Sequence, residues 1–68
     1  MTITVNGNKR DFNNNLNLKE LLSYLELKSE RNGIALCVNM QVIPKEQWEQ
    51  TNLTEGDKVE IVIAAPGG

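Results

Sequence analysis

Apolar and polar positions alternate from the second residue onward. Thr2-Ile3-Thr4-Val5 has the two-residue period of a strand with one buried face. Asn6-Gly7 follows at once, the pair favoured in a type I′ turn because both central residues need positive φ. A return strand is expected over about Lys9 to Asn13, with Phe12 pointing inward beside Ile3 and Val5. Asn13-Asn14-Asn15 then favours side-chain-to-backbone bonds over ladder pairing and breaks the strand. The period changes after that. Leu18, Leu21, Leu22 and Leu25 recur at i, i+3, i+4 and i+7, which is one apolar stripe of a helix. Asn17 is placed to cap it, Glu20 to complete a capping box, and Leu16 with Leu21 to form a hydrophobic staple. Lys28 to Asn32 reads as a polar loop ending at Gly33.

Ile34 to Val38 is apolar on both faces and predicts a strand internal to its sheet. Asn39-Met40-Gln41 makes a tight turn into a short strand, Val42-Ile43, and Pro44 opens one helical turn over Lys45–Trp48. Trp48 is expected at the core edge against Pro44 and Ile43, with Leu53 an isolated anchor. Glu55-Gly56-Asp57 turns the chain into a last strand from Lys58, through the β-branched run Val59-Glu60-Ile61-Val62-Ile63. The order is hairpin, helix, two strands, helical turn, strand. Its simplest closed arrangement is α+β: a mixed four- to five-stranded sheet with one main helix across one face. The helix supplies the crossover that a parallel pair requires. The expected interior is Ile3, Val5, Phe12, Leu18, Leu21, Leu22, Leu25, Leu36, Val38, Val59, Ile61 and Ile63.

Sixty-eight residues suffice for a single domain, residues 1–68, with residues 64–68 expected as a flexible tail. A net charge of −2 without a Lys/Arg cluster argues against nucleic acid as a partner. No apolar run approaches the ~20 residues of a membrane span, and with no charged n-region followed by an apolar h-region at its start, secretion is not expected. One cysteine and no histidine exclude an internal disulfide and any His-based catalysis, and leave no expectation of a metal or bound cofactor. A cytoplasmic protein is expected. Cys37 reads as a small buried hydrophobe, since nothing near it in sequence would activate a thiol. Glu20, Asp57 and Glu60 read as cap, turn and solvated-face residues, with no pair suited to acid–base work.

Candidate chemistry is left at the end of the chain, Ala64-Ala65-Pro66-Gly67-Gly68. Gly is about 7% of average usage, so two in succession at an end arise by chance about once in 200. Gly is entropically expensive to order and adds no packing. Following an apolar strand, such an end suggests a thin thread made to enter a narrow channel in another protein. Gly68 would carry the reacting carboxyl, with Gly67, Pro66 and Ala65 as the thread. A carboxylate reacts with nucleophiles only after its oxygen becomes a leaving group. An ATP-using partner could adenylate it, after which a sulfur nucleophile or an amine could attack. Strand parity puts Val59, Ile61 and Ile63 on the helix side and Glu60, Val62 and Ala64 on the other. Val62 and Ala64, joined by Cys37, would form an apolar docking face beside the tail, with Glu60 at its border.

Three stretches carry a resemblance: Ala35-Leu36-Cys37-Val38-Asn39, then Ile43-Pro44-Lys45-Glu46-Gln47-Trp48, then Glu55-Gly56-Asp57 leading to Gly67-Gly68. End to end, the chain resembles the ThiS family, the ubiquitin-like β-grasp sulfur carriers of thiamine biosynthesis. The Pro44-Lys45-x-x-Trp48 segment is more specific than the di-glycine, which all ubiquitin-like carriers share. The resemblance implies that a ThiF-type enzyme adenylates Gly68. The carboxyl would then become a thiocarboxylate by way of a sulfur donor protein, and give its sulfur to a ThiG-type thiazole synthase. Pro66 departs from the family pattern, which keeps a freer residue there, although an extended tail is compatible with its fixed φ. Three other readings stand beside this one. They are the small subunit of molybdopterin synthase, a protein modifier joined through Gly68, and a plain β-grasp interaction module.

Overall fold

The computed structural model describes residues 1–28 and 33–64. The first hairpin forms as its turn dictates: β1 (Thr2–Val5) pairs antiparallel with β2 (Asn8–Asp11), joined by Asn6 at φ 51° and Gly7 at φ 84°. The return strand ends earlier than expected. All four β2 residues are exposed; just beyond them Phe12 still exchanges two bonds with Met1, its N–H donating to the Met1 carbonyl and its carbonyl accepting from the Met1 amino group, both at 2.8 Å. Its ring is half-buried and meets Tyr24 edge-on at 5.2 Å.

Helix α1 (Leu18–Tyr24) begins where its cap predicts. The Glu20 N–H donates to Asn17 Oδ1 at 2.8 Å, and the Asn17 N–H donates to Glu20 Oε1 at 3.0 Å. These reciprocal bonds satisfy donors that the first turn cannot pair internally. Leu18, Leu21 and Leu22 are fully buried, while Leu25 caps the C-terminus and is only half-buried. The loop expected over Lys28–Asn32 lies outside the described residues from position 29 onward.

Strands β3 (Ile34–Val38), β4 (Gln41–Ile43) and β5 (Lys58–Ile63) complete a five-stranded mixed sheet of order β2-β1-β5-β3-β4. β3 is internal, between β5 and β4 and antiparallel to both. β1 and β5 form the parallel pair, Thr4 opposite Lys58 and Val5 opposite Val59. Pro44 precedes the short helical turn instead of opening it. With ψ at 146° it acts as the cap residue, and Lys45–Gln47 is a 3₁₀ turn.

The core holds three residues that periodicity did not place there: Leu16, Trp48 and Leu53, each under 5% exposed. They are drawn in by long-range pairing of two irregular segments. Leu53 N–H donates to the Leu16 carbonyl at 2.8 Å, Leu18 N–H to the Thr51 carbonyl at 3.1 Å, and Asn17 and Asn52 form an isolated bridge. Trp48 can be buried because its indole N–H reaches the Ile43 carbonyl at 2.9 Å. Conversely, Phe12, Leu25 and Val38 pack against the core only partly, and Ile63 is 40% exposed. Ile63 stands beyond the last β1 residue paired with β5 and has only Ile34 opposite it.

Candidate functional site

With α1 across one face, the sheet has a second face whose residues follow from register. Direct partners share a face, so Ala35 and Cys37 of β3 lie with Val62 and Glu60 of β5 and with Val42 of β4. The two halves of this outer face differ. On the β3–β4 side and along distal β5 it presents Val42 (66% exposed), Val62 (59% exposed), exposed Ala35 and half-buried Cys37. On the β1–β2 side it presents Thr2, Thr4, Lys9 and Asp11, with Lys58 and Glu60 at the boundary. The apolar half leads along β5 to Ala64.

Three devices fix β5, the strand that carries the tail. At its start, Asn39 Oδ1 accepts from the Lys58 N–H at 3.0 Å and Asn39 Nδ2 donates to Asp57 Oδ1 at 3.0 Å. Thr54 N–H donates to the other Asp57 oxygen at 2.9 Å. Burial works to raise the Asp57 pKa. The Thr54 N–H, the Asn39 amide and the Thr54 hydroxyl outweigh it and hold the carboxyl below its usual value. In the middle, the Asn6 side chain continues the ladder where β1 ends. Ile61 N–H donates to Asn6 Oδ1 at 2.7 Å, and Asn6 Nδ2 donates to the Ile61 carbonyl at 3.2 Å. At the far end, Ala64 N–H donates to the Gly33 carbonyl at 2.8 Å. Gly33 sits at φ 87°, a backbone conformation that favours glycine, and a Cβ there would lie 3.3 Å from that of Ala64, a tight contact.

Of the residues expected at the site, Glu60, Val62 and Ala64 are exposed and share the outer face. Ala65, Pro66, Gly67 and Gly68 lie outside the described residues. Val42 also belongs to this surface, a placement that the sequence alone does not reveal; Met40, in the turn before β4, is 91% exposed. β4 is too short to show its own parity, and only pairing with β3 reveals that Val42 faces outward beside Cys37. Among the described residues no cluster of three metal-ligating side chains occurs, and the ion pair Lys19–Glu49 is exposed at 3.4 Å. No described helix is long and apolar enough to cross a membrane.

The chain matches the ThiS family model over residues 3–68. It is 37% identical over 49 residues to the sulfur carrier protein ThiS of Escherichia coli, covering 72% of this chain and 71% of that one. It is 32% identical over its whole length to a thiazole synthase of Paramagnetospirillum magneticum, and spans only 20% of that protein. The crystal structure of a thiamine biosynthesis protein (ThiS) from Geobacter metallireducens superposes with a TM-score of 0.82 at 31% identity, each chain covered in full. Sheet order, the helix on one face and a family match that runs through the di-glycine agree. The chain belongs to the ThiS family of ubiquitin-like β-grasp sulfur carriers.

Proposed function

We propose that this chain carries sulfur for formation of the thiazole moiety of thiamine, on the terminal carboxyl of Gly68. A carboxylate oxygen of Gly68 attacks the α-phosphorus of ATP held by a ThiF-type enzyme. The α–β phosphoanhydride breaks, pyrophosphate leaves, and an acyl-adenylate forms. The terminal sulfur of a donor-protein persulfide then attacks the carbonyl, the carbon–oxygen bond to AMP breaks, and an acyl disulfide forms. A second thiol, supplied by the donor or the adenylating enzyme, attacks the donor sulfur and breaks the S–S bond. This leaves a disulfide on the proteins and a thiocarboxylate on Gly68. The chain is a co-substrate in this reading and binds no cofactor of its own.

The observation that carries the reading is the family match through Gly68, so that the di-glycine lies inside the shared region. The geometry of β5 supports it. A strand tied at Lys58, Ile61 and Ala64 gives the tail a fixed root, beside an apolar half-face built from Val42, Val62, Ala35 and Ala64. Residues 1–68 then work as one unit, in which Ala65, Pro66 and Gly67 enter the partner's channel and Glu60, Val62 and Ala64 dock against its mouth. A ThiG-type synthase is supported as acceptor by the thiazole synthase that contains a segment like this chain within its own length. The unpaired Cys37 suits the reducing conditions of a cytoplasm.

Incubation with a ThiF-type enzyme, ATP and a sulfur source, followed by intact mass measurement, tests the proposal. The expected result is a mass gain equal to exchanging one oxygen for sulfur, confined to the C-terminal fragment. Deleting Gly67 and Gly68 should leave the fold intact and abolish the exchange. A full-length chain that never acquires the sulfur overturns the reading.

A further inference from the structure

Asn6 precedes Gly7, which has no side chain to shield its backbone nitrogen. In such a pair the nitrogen of the second residue attacks the side-chain amide carbon of the first. The carbon–nitrogen bond to Nδ2 then breaks, ammonia leaves, and a cyclic succinimide remains. Water opens the ring at either carbonyl, which gives an aspartate, or an isoaspartate whose backbone runs through the β-carbon. Water is the sole co-reactant.

The fold opposes this reaction. Asn6 Oδ1 accepts from the Ile61 N–H at 2.7 Å and Asn6 Nδ2 donates to the Ile61 carbonyl at 3.2 Å, both on β5. The Asn6 backbone is tied as well, its N–H donating to the Val59 carbonyl at 2.9 Å. In the sheet order β2-β1-β5, Gly7 carries the chain to one side of β1 while the Asn6 amide is bound on the other. Ring closure therefore requires the amide to give up both Ile61 bonds and turn back toward Gly7. The turn itself is exposed, so water is at hand once the amide is released.

We infer that Asn6-Gly7 is a deamidation site gated by the Asn6–Ile61 clasp: it reacts in chains whose clasp has opened locally, and the product records that opening. The two products differ in what they leave of the clasp. Aspartate keeps an acceptor for the Ile61 N–H. Isoaspartate adds a backbone carbon to a two-residue turn and loses both bonds, so β5 loses its support just where its pairing with β1 ends. The change is covalent, and β5 leads directly into residues 64–68. A brief local opening thus becomes a lasting alteration of the strand at the root of the tail.

The test incubates the full chain at mildly alkaline pH, folded and unfolded in guanidinium chloride, and follows the tryptic peptide that ends at Lys9 by mass spectrometry. Fragmentation assigns asparagine, aspartate and isoaspartate at position 6. Peptide mapping is required because Asn32-Gly33 is a second pair of this kind in the sequence. Two hydrogen bonds of ordinary net strength should slow the folded chain about thirtyfold relative to the unfolded one. Equal rates in the two states overturn the gating. Protection beyond about a thousandfold also overturns it, since the reaction would then wait for global unfolding. Absence of reaction in the unfolded chain overturns the site itself. The purified isoaspartyl chain should unfold about 8–16 °C below the unmodified one, and the aspartyl chain should lose less than half of that. An isoaspartyl chain that unfolds together with the unmodified one overturns the role given to the clasp.

Discussion

Asn6 offers a quantitative test of how β5 is held. Its amide makes two hydrogen bonds to the Ile61 backbone, at 2.7 and 3.2 Å, and its own φ of 51° is one that Asn tolerates better than most residues. Asn6→Ala removes both bonds, each with a net contribution of about 1 kcal/mol. It also puts a plain Cβ into the left-handed region, which costs about 1 kcal/mol more. The expected loss is therefore about 3 kcal/mol. A domain of this size has roughly 3–10 kcal/mol in all, so the variant should be close to unfolded at room temperature or above half its original stability, depending on that total. Asn6→Gly loses the same bonds without the strain and should fall by about 2 kcal/mol. Asn6→Asp keeps the acceptor for the Ile61 N–H and should rank nearest to wild type. Urea unfolding followed by fluorescence of Trp48, the single tryptophan and only 3% exposed, reads each value directly. A loss under about 0.5 kcal/mol for Asn6→Ala, or Asn6→Gly proving worse than Asn6→Ala, would refute the reasoning.

Other expectations follow from the same geometry. Leu36, fully buried in the internal strand β3, should lose about 2–5 kcal/mol on change to Ala, enough to shift the urea midpoint drastically or abolish a cooperative transition. Because the folded-state pKa of Asp57 lies below its usual value of 3.8, its contribution is complete above that value and declines as pH falls through the folded-state pKa. Asp57→Asn should flatten this part of the acid limb, measured as urea midpoints from neutral pH down to about pH 2. Val62→Lys, on the exposed outer face, should change stability by less than about 0.5 kcal/mol yet raise the KM for adenylation, as read by pyrophosphate exchange.

What could be read from the sequence was local. The capping box of α1, the Asn6-Gly7 turn and the parity of β5 each depend on residues within a few positions of one another, and each stands as read. The depth of Leu16, Trp48 and Leu53 could not be read that way. Their burial depends on segments far apart in sequence meeting as irregular backbone, where no period marks the inward side. Ile63 failed for the opposite reason: its parity was right, but neighbouring elements do not extend far enough to cover it. Half of the outer surface was legible because β5 is long enough to show alternation. The other half, carried by Val42, needed the β3–β4 register. The tail is a different case: Ala65 to Gly68 lie outside the described residues, so the reading of its chemistry rests on sequence and family alone.

β5 has neighbours on both sides, β1 and β3, and its backbone bonds run across the strand axis. An enzyme that grips the far end and draws it inward therefore loads the central strand in shear, with many bonds sharing the strain at once. An edge strand pulled sideways would peel open one bond at a time. Under the function proposed above, this layout would let the molecule be handled by its end, repeatedly and by different machines, without coming unravelled.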